Sequence, residues 1–160
     1  MSKRKDEIRG VLEQTKQAIS AHGHAVIGVT AEPKAKPPTP GFAYTIGLEE
    51  TYGHPELIVF GLPYEVAHGV LNDLAARIKG KTLALQDGDR DDRTLQGHRV
   101  VFRNVRAAFV RKYLRIAHVL SEDTRALQVV WPDPFGKFPW EDDFDSRYAV
   151  AQPSLYESLH

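Results

Sequence analysis

A histidine and a glutamate that lie two residues apart, His54 and Glu56, have the residue types and spacing of a catalytic pair. Histidine titrates near neutral pH, and residues two apart on an extended segment face the same side. A neighbouring carboxylate can orient an imidazole as a general base or as a metal ligand. The pair therefore predicts a catalytic site in which His54 is the base and Glu56 orients it. The alternative is a structural, hydrogen-bonded turn before the next strand.

A second group of candidate residues lies around an aromatic segment near the C-terminus. Trp131–Trp140 contains both tryptophans of the chain and three of its prolines. Aromatic planes stack on flat ligands, and a few polar groups fix the orientation of a ligand in a pocket. We predict a pocket between the Tyr44–Glu56 turn and this Trp131–Trp140 clasp. Its predicted ligand-binding residues are Tyr44, Gln128, Trp131, Asp133 and Trp140. The alternative is a rigid clasp that seals one end of a sheet.

The seven histidines are scattered, and only His22 and His24 are close in sequence. On a strand this spacing would place both imidazoles on one face, as half of a metal site. Gly23 lies between them at a helix end, so we predict capping or solvent contacts and no metal site. His68 is interpreted as a helix-surface histidine. The chain contains no cysteine, which excludes thiolate chemistry, and its sequence identifies no cofactor.

Other motifs carry little functional information. The chain has no P-loop, dinucleotide-binding, HExxH or GxSxG motif. The acidic segment that begins at Asp87 lacks the glycine and glutamate of an EF-hand loop. A basic segment, 106–117, could contact an anionic ligand or single-stranded nucleic acid, and a solvated helix face is the alternative. The 21 basic and 21 acidic residues balance, which argues against a binder of duplex DNA.

These residues are positioned by elements that the apolar pattern predicts. β-branched and aromatic runs predict strands at Ala25–Thr30, Phe42–Ile46, Leu57–Phe60, His98–Asn104 and Ala126–Trp131. Apolar residues at helical spacing predict helices over 1–23, 63–80 and 106–117. The remaining segments are a proline-rich loop over 32–40, either a connector or a flap over a site, a polar loop over 86–96, and a tail over 146–160. We predict one α+β domain over 1–160, with a mostly antiparallel sheet of about five to six strands packed against two to three helices on one face.

Several sequence motifs, in their order along the chain, resemble those of a bacterial family, the DUF4262 domain of unknown function. They are GHAV, PGFAYTIGL, GHPELIVFGLP, VLNDLA and LQVVWPDPFGKFPW, and together they extend over roughly residues 20–155. The resemblance implies that these segments form one domain, and it implies no reaction and no catalytic residue.

The N-terminal residues have no apolar core typical of a signal peptide, and no apolar run approaches the length of a membrane span. We therefore expect a cytoplasmic protein without membrane contact. The first functional hypothesis is a small module that binds a small molecule or a protein partner. The alternatives are a hydrolase or transferase that uses His54 and Glu56, and a weak binder of single-stranded nucleic acid. The sequence does not indicate an oligomeric state.

Overall fold

Six strands and five α-helices form the described part of the chain, residues 2–156 of the computed structural model. The strands are β1 (Ala25–Val29), β2 (Phe42–Ile46), β3 (Glu56–Phe60), β4 (Arg90–Leu95), β5 (His98–Asn104) and β6 (Ala126–Val130). The helices are α1 (Ser2–His22), α2 (Leu48–Tyr52), α3 (Tyr64–Lys79), α4 (Ala107–Tyr113) and α5 (Arg115–Leu120). A short 3-10 helix follows at Ser146–Ala149.

All six strands belong to one mixed sheet with the order β1-β2-β3-β6-β5-β4. Only β3 and β6 are parallel neighbours, and the other neighbouring pairs are antiparallel. In the parallel pair, Glu56 lies opposite Ala126, so both strands start at the same edge of the sheet. The predicted α+β class with a mostly antiparallel sheet is confirmed.

The central strands are apolar on both faces, and each face is covered by helices. Leu57 and Val59 of β3 pack with α3, whereas Ile58 and Phe60 pack with α4 and α5. The expectation that the helices lie on one face is wrong. The physical reason is that alternate side chains of an apolar strand point to opposite faces, so both faces of such a strand must be removed from water.

The predicted polar loop over 86–96 contains strand β4, so the loop prediction is wrong for Arg90–Leu95. Its sequence, RDDRTL, has little strand character. It is an edge strand of the sheet, where polar side chains remain solvated. Its half-buried Asp91 receives two hydrogen bonds of 3.0 Å each from the Arg77 guanidinium of α3. A contact that is distant in sequence therefore stabilises a strand without an apolar pattern.

The structure also describes the two segments that were predicted as a proline-rich loop and a tail. Over 32–40 the chain forms one isolated bridge, between Glu32 and Thr39, and no named strand or helix. After the 3-10 helix, the tail runs back over the end of the sheet and buries Gln152 and Leu155. Residues 157–160 of the predicted tail lie outside the described residues.

Candidate functional site

His54 is fixed by backbone groups on both sides of its ring. The backbone N–H of Leu85 donates to Nε2 at 2.9 Å, and Nδ1 lies 2.8 Å from the Pro55 carbonyl oxygen. Because Nε2 accepts, the ring proton is on Nδ1 and is donated to that oxygen. The side chain is 7% exposed, and burial is the main cause that lowers its pKa. Both nitrogens are therefore engaged, and no lone pair faces a substrate.

Glu56 has a set of hydrogen-bond partners that is separate from that of His54. Its carboxylate accepts hydrogen bonds from the Thr45 hydroxyl at 2.8 Å and from the N–H groups of Gly47, Leu48 and Glu49 at 3.1–3.2 Å. These N–H groups lie at the start of α2, where helices leave such donors unpaired. Burial raises the pKa of Glu56 to about 7, although the four donors act in the opposite direction.

The structure does not bring His54 and Glu56 together. His54 contacts Leu85, which belongs to the core under α3, whereas Glu56 lines a cavity beside Ala117 and Leu120 of α5. The expected common orientation requires an extended segment, but the backbone N–H of His54 bonds to the Leu48 carbonyl and closes the end of α2. The two side chains then point to opposite faces. This arrangement fits the structural alternative and gives no support to a base oriented by Glu56.

The remaining predicted site residues are also bonded to the scaffold. Tyr44 is buried, its hydroxyl oxygen accepts from the Ile116 N–H at 3.2 Å, and burial raises its pKa to about 12. Gln128 donates to the Pro153 carbonyl and accepts from the Leu155 N–H, which anchors the tail. The Trp131 indole N–H donates to the Phe60 carbonyl at 2.8 Å.

Asp133 and Trp140 organise the aromatic segment itself. The buried Asp133 carboxylate accepts from the N–H groups of Phe135, Lys137 and Asp145 at 2.9 Å each. Burial raises its pKa, but these donors together outweigh that effect, and the pKa is lowered. The Trp140 ring stacks on Phe138 with centroids 5.2 Å apart, and the Arg103 guanidinium lies over its plane. This segment has the contacts of a structural clasp.

The described structure does not bring together the two halves of the pocket predicted between the Tyr44–Glu56 turn and the Trp131–Trp140 clasp, because Glu56 and Trp131 lie at opposite ends of the sheet. Glu56 starts β3, whereas Trp131 follows the end of β6, which is parallel to β3. A strand of five residues separates the two ends by about 15 Å. The two halves of the predicted site therefore cannot share one small ligand.

A different group of polar side chains lines a groove of about 610 Å³ between α1, β1 and α3. Nε2 of His24 lies 2.8 Å from Oδ1 of Asn72, and Nδ2 of the same amide lies 3.2 Å from Nδ1 of His68. Asn72 therefore bridges one histidine before β1 and another histidine on α3. We call these three residues the His24–Asn72–His68 chain. His22, Gln14 and Thr15 also line the groove.

The sequence contained partial signals for this groove. The H-x-H motif of His22 and His24 indicated one wall of the groove, but Asn72 was not among the predicted site residues. The signal for Asn72 was its position four residues after His68, which places both on one helix face. The pairing with His24 depends on the packing of α3 beside β1, 48 residues apart in the chain. Sequence spacing does not show that packing.

Three further observations concern the metal, membrane and nucleic-acid predictions. Among residues 2–156, no group of three or more histidine, aspartate or glutamate side chains is arranged to hold a metal ion. The helices that the structure describes include none with the length and apolar character to cross a membrane. The predicted basic helix over 106–117 is divided at Leu114 into α4 and α5, with Arg106, Arg111, Lys112 and Arg115 exposed.

The fold and the site define a small α+β domain with a six-stranded mixed sheet and a polar groove beside an edge strand. The chain matches the family model of DUF4262, a domain of unknown function, over residues 18–145, and it belongs to that family. The matched region includes His24, His68 and Asn72, and most of α1 precedes it. No curated protein and no solved structure matches the chain.

Proposed function

We propose that this domain binds a small, neutral molecule in the groove between α1, β1 and α3. The observation that carries the proposal is the His24–Asn72–His68 chain, which lies within a cavity of ligand size. The lining combines these polar groups with apolar side chains such as Val26 and Ile27. This mixture of apolar walls and a few convergent polar groups is typical of small-molecule sites.

The hydrogen-bond directions in the chain suggest which ligand atoms would fit. An amide oxygen only accepts and an amide nitrogen only donates, so Nε2 of His24 carries a proton and Nδ1 of His68 accepts one. In neutral rings this leaves one acceptor, Nδ1 of His24, and one donor, the Nε2–H of His68. Neither atom has a hydrogen-bond partner among the described residues. A ligand with its own donor and acceptor, such as a carboxamide, complements this pair.

The charge of the groove supports a neutral ligand. No aspartate, glutamate, lysine or arginine is among its described lining residues. A charged ligand would lose hydration without an opposite charge to replace it. The hydrolase or transferase hypothesis has weaker support because both nitrogens of His54 bond to the backbone. The nucleic-acid hypothesis is supported only by exposed basic side chains on α4 and α5.

A fragment panel observed by two-dimensional ¹H–¹⁵N NMR tests the proposal. The probes are acetamide, nicotinamide, 2-pyrrolidinone and uracil at millimolar concentrations. We expect at least one amide to shift resonances of His24, His68 and Asn72. Asn72→Ala should weaken that binding by about tenfold, because the bridging hydrogen bonds that orient both rings are lost. The matched control is Asn104→Ala, an exposed asparagine at the end of β5.

The outcomes separate clearly. Shifts confined to the groove, with an affinity that falls in Asn72→Ala and not in Asn104→Ala, support the proposal. Absence of groove shifts with every probe overturns it, and so does equal affinity in the folded Asn72→Ala variant. The thermal midpoint of each variant shows whether a lost response reflects lost folding.

A further inference from the structure

A second cavity adjoins the groove and is separated from it by one aromatic ring. This cavity has a volume of about 530 Å³ and lies between the start of α3 and strands β1 and β2. Its walls are mainly apolar and include Val29, Ala43, Leu62 and Ala67. Its described lining residues include no charged side chain. We call it the apolar cavity, and the first remains the groove.

The two cavities are adjacent along both elements that form their walls. On β1, Ile27 lines the groove and Gly28 lines the apolar cavity. On α3, His68 lines the groove and Ala67 lines the apolar cavity. The change from one cavity to the other therefore occurs within one residue on each element, at the contact between β1 and α3.

Tyr64 occupies this junction. Its ring lies 5.6 Å from the His68 ring, centroid to centroid, at an angle of 31°. The same ring lies against Gly28, where an added Cβ would overlap its Cε2 and Cδ2 atoms. Tyr64 is nevertheless 58% exposed, so its ring can rotate into solvent without breaking the core. Gly28 thus provides the space that allows this ring to lie between the two cavities.

We infer that the ligand of the groove is an elongated, amphipathic amide whose polar head binds the His24–Asn72–His68 chain and whose apolar tail extends past Tyr64 into the apolar cavity. This inference rests on the proposed function and specifies the class of its ligand. The position of the apolar cavity next to the polar groove favours one occupant: a tail that belongs to the molecule whose head is bound in the groove. Displacement of the Tyr64 ring admits the tail.

A homologous series of unbranched primary carboxamides, from propanamide to octanamide, tests the inference. Each methylene that enters an apolar site should increase the affinity by about fourfold. NMR shifts should begin at His24 and Asn72 for the short amides. They should spread to Val29, Ala43 and Ala67 for the long ones. Calorimetric or NMR titration gives the affinity of each member.

A variant that fills the junction provides the structural control. Gly28 does not have a positive φ, so the strand backbone is compatible with Gly28→Leu, and the leucine side chain would displace the Tyr64 ring and occupy the junction in its place. We expect this variant to bind propanamide as the wild type does and to lose the dependence on chain length. Gly69→Leu is the matched control, because Gly69 has no atom within 4 Å of its added Cβ. If Gly28→Leu does not fold, the wild-type series decides alone.

The results distinguish the two proposals. Binding of short amides with a rising affinity along the series supports both. Binding of short amides with a constant affinity along the series overturns the inference and leaves the proposed function intact. Absence of binding by every member of the series, together with a fragment panel that produces no shifts in the groove, overturns both proposals. Tail shifts that persist at Ala43 and Ala67 in folded Gly28→Leu overturn the path past Tyr64.

Discussion

The carboxyl group of Glu56 gives the sharpest test of the electrostatics in this fold. Burial raises its pKa from 4.5 to about 7. Between these two pH values the folded protein retains a proton that the unfolded chain has released, so the free energy of unfolding falls as the pH rises through this interval. The difference between the two pKa values corresponds to about 3 kcal/mol. Glu56→Gln removes the titrating group and keeps the size of the side chain.

The assay compares urea unfolding of the wild type and Glu56→Gln at a series of pH values from 4.5 to 8. The informative quantity is the free energy of unfolding of the wild type minus that of the variant, because the titration of all other groups, including His54, is common to both. We expect this difference to fall by about 3 kcal/mol from the acidic to the alkaline end. Glu50→Gln, an exposed position in α2, controls for the loss of a charge near this helix.

Two results would refute this reasoning. A difference that does not change with pH would mean that the folded pKa of Glu56 equals the unfolded value of 4.5. The Thr45 hydroxyl and the three N–H donors at the start of α2 would then balance the cost of burial. A difference that increases with pH would place the folded pKa below 4.5. In either case Glu56 would be a permanent anionic anchor of α2.

Two further predictions concern groups that join distant segments. The pKa of His54 is lowered, mainly by burial. Below pH 6.5 the unfolded chain therefore gains a proton at His54 while the imidazole of the folded protein stays neutral. The contribution of His54 to stability is consequently lost as the pH falls. ¹⁵N-detected NMR should show an Nδ1–H tautomer with a midpoint below 6.5, and an Nε2–H tautomer would contradict the bond from Leu85. The Arg77 guanidinium lowers the pKa of Asp91 from 3.8 to about 2, so the pair should contribute about 2 kcal/mol above pH 3.8 and lose it as the pH falls to 2. Asp91→Asn should therefore destabilise the protein at pH 7 and much less at pH 2 in urea unfolding, with Asp92→Asn as the control, and equal losses at both pH values would contradict the ion pair.

The apolar pattern of the sequence was sufficient to predict most of the fold, because the central strands and α3 depend on local sequence. Runs such as FAYTI and LIVF predict central strands, and Val70, Leu74 and Ile78 predict the buried face of α3. Strand β4 could not be predicted in this way. Its residues are polar, and its position depends on the pairing with β5 and on the Arg77–Asp91 contact. The pairing is a hairpin between neighbouring strands, whereas the contact joins residues 14 apart, and neither gives the strand an apolar pattern.

The direction of one strand explains why the two halves of the predicted pocket lie apart. Had β6 been antiparallel to β3, the end of β6 would lie beside the start of β3, and Trp131 would be close to Glu56. The two strands are parallel, so Trp131 lies instead beside Phe60, to whose carbonyl its indole donates. The chain segment from Phe60 to Ala126 must return across the domain to allow this pairing. Local sequence does not reveal which end of the sheet such a long connection reaches.

The partners of each polar side chain distinguish structural residues from candidate ligand contacts. Glu56, Gln128 and Asp133 are buried, and each bonds to backbone groups that would otherwise lie unpaired in the interior. Their replacement would therefore disturb folding before it disturbed any reaction. His24 and His68 are only half-buried, and the side-chain hydrogen bonds of both rings run to the Asn72 amide, which leaves one nitrogen of each ring available to a ligand. A polar group can serve binding only if folding has not already used its hydrogen-bonding capacity, and this criterion favours the groove over the residues of the predicted catalytic pair and the predicted aromatic pocket.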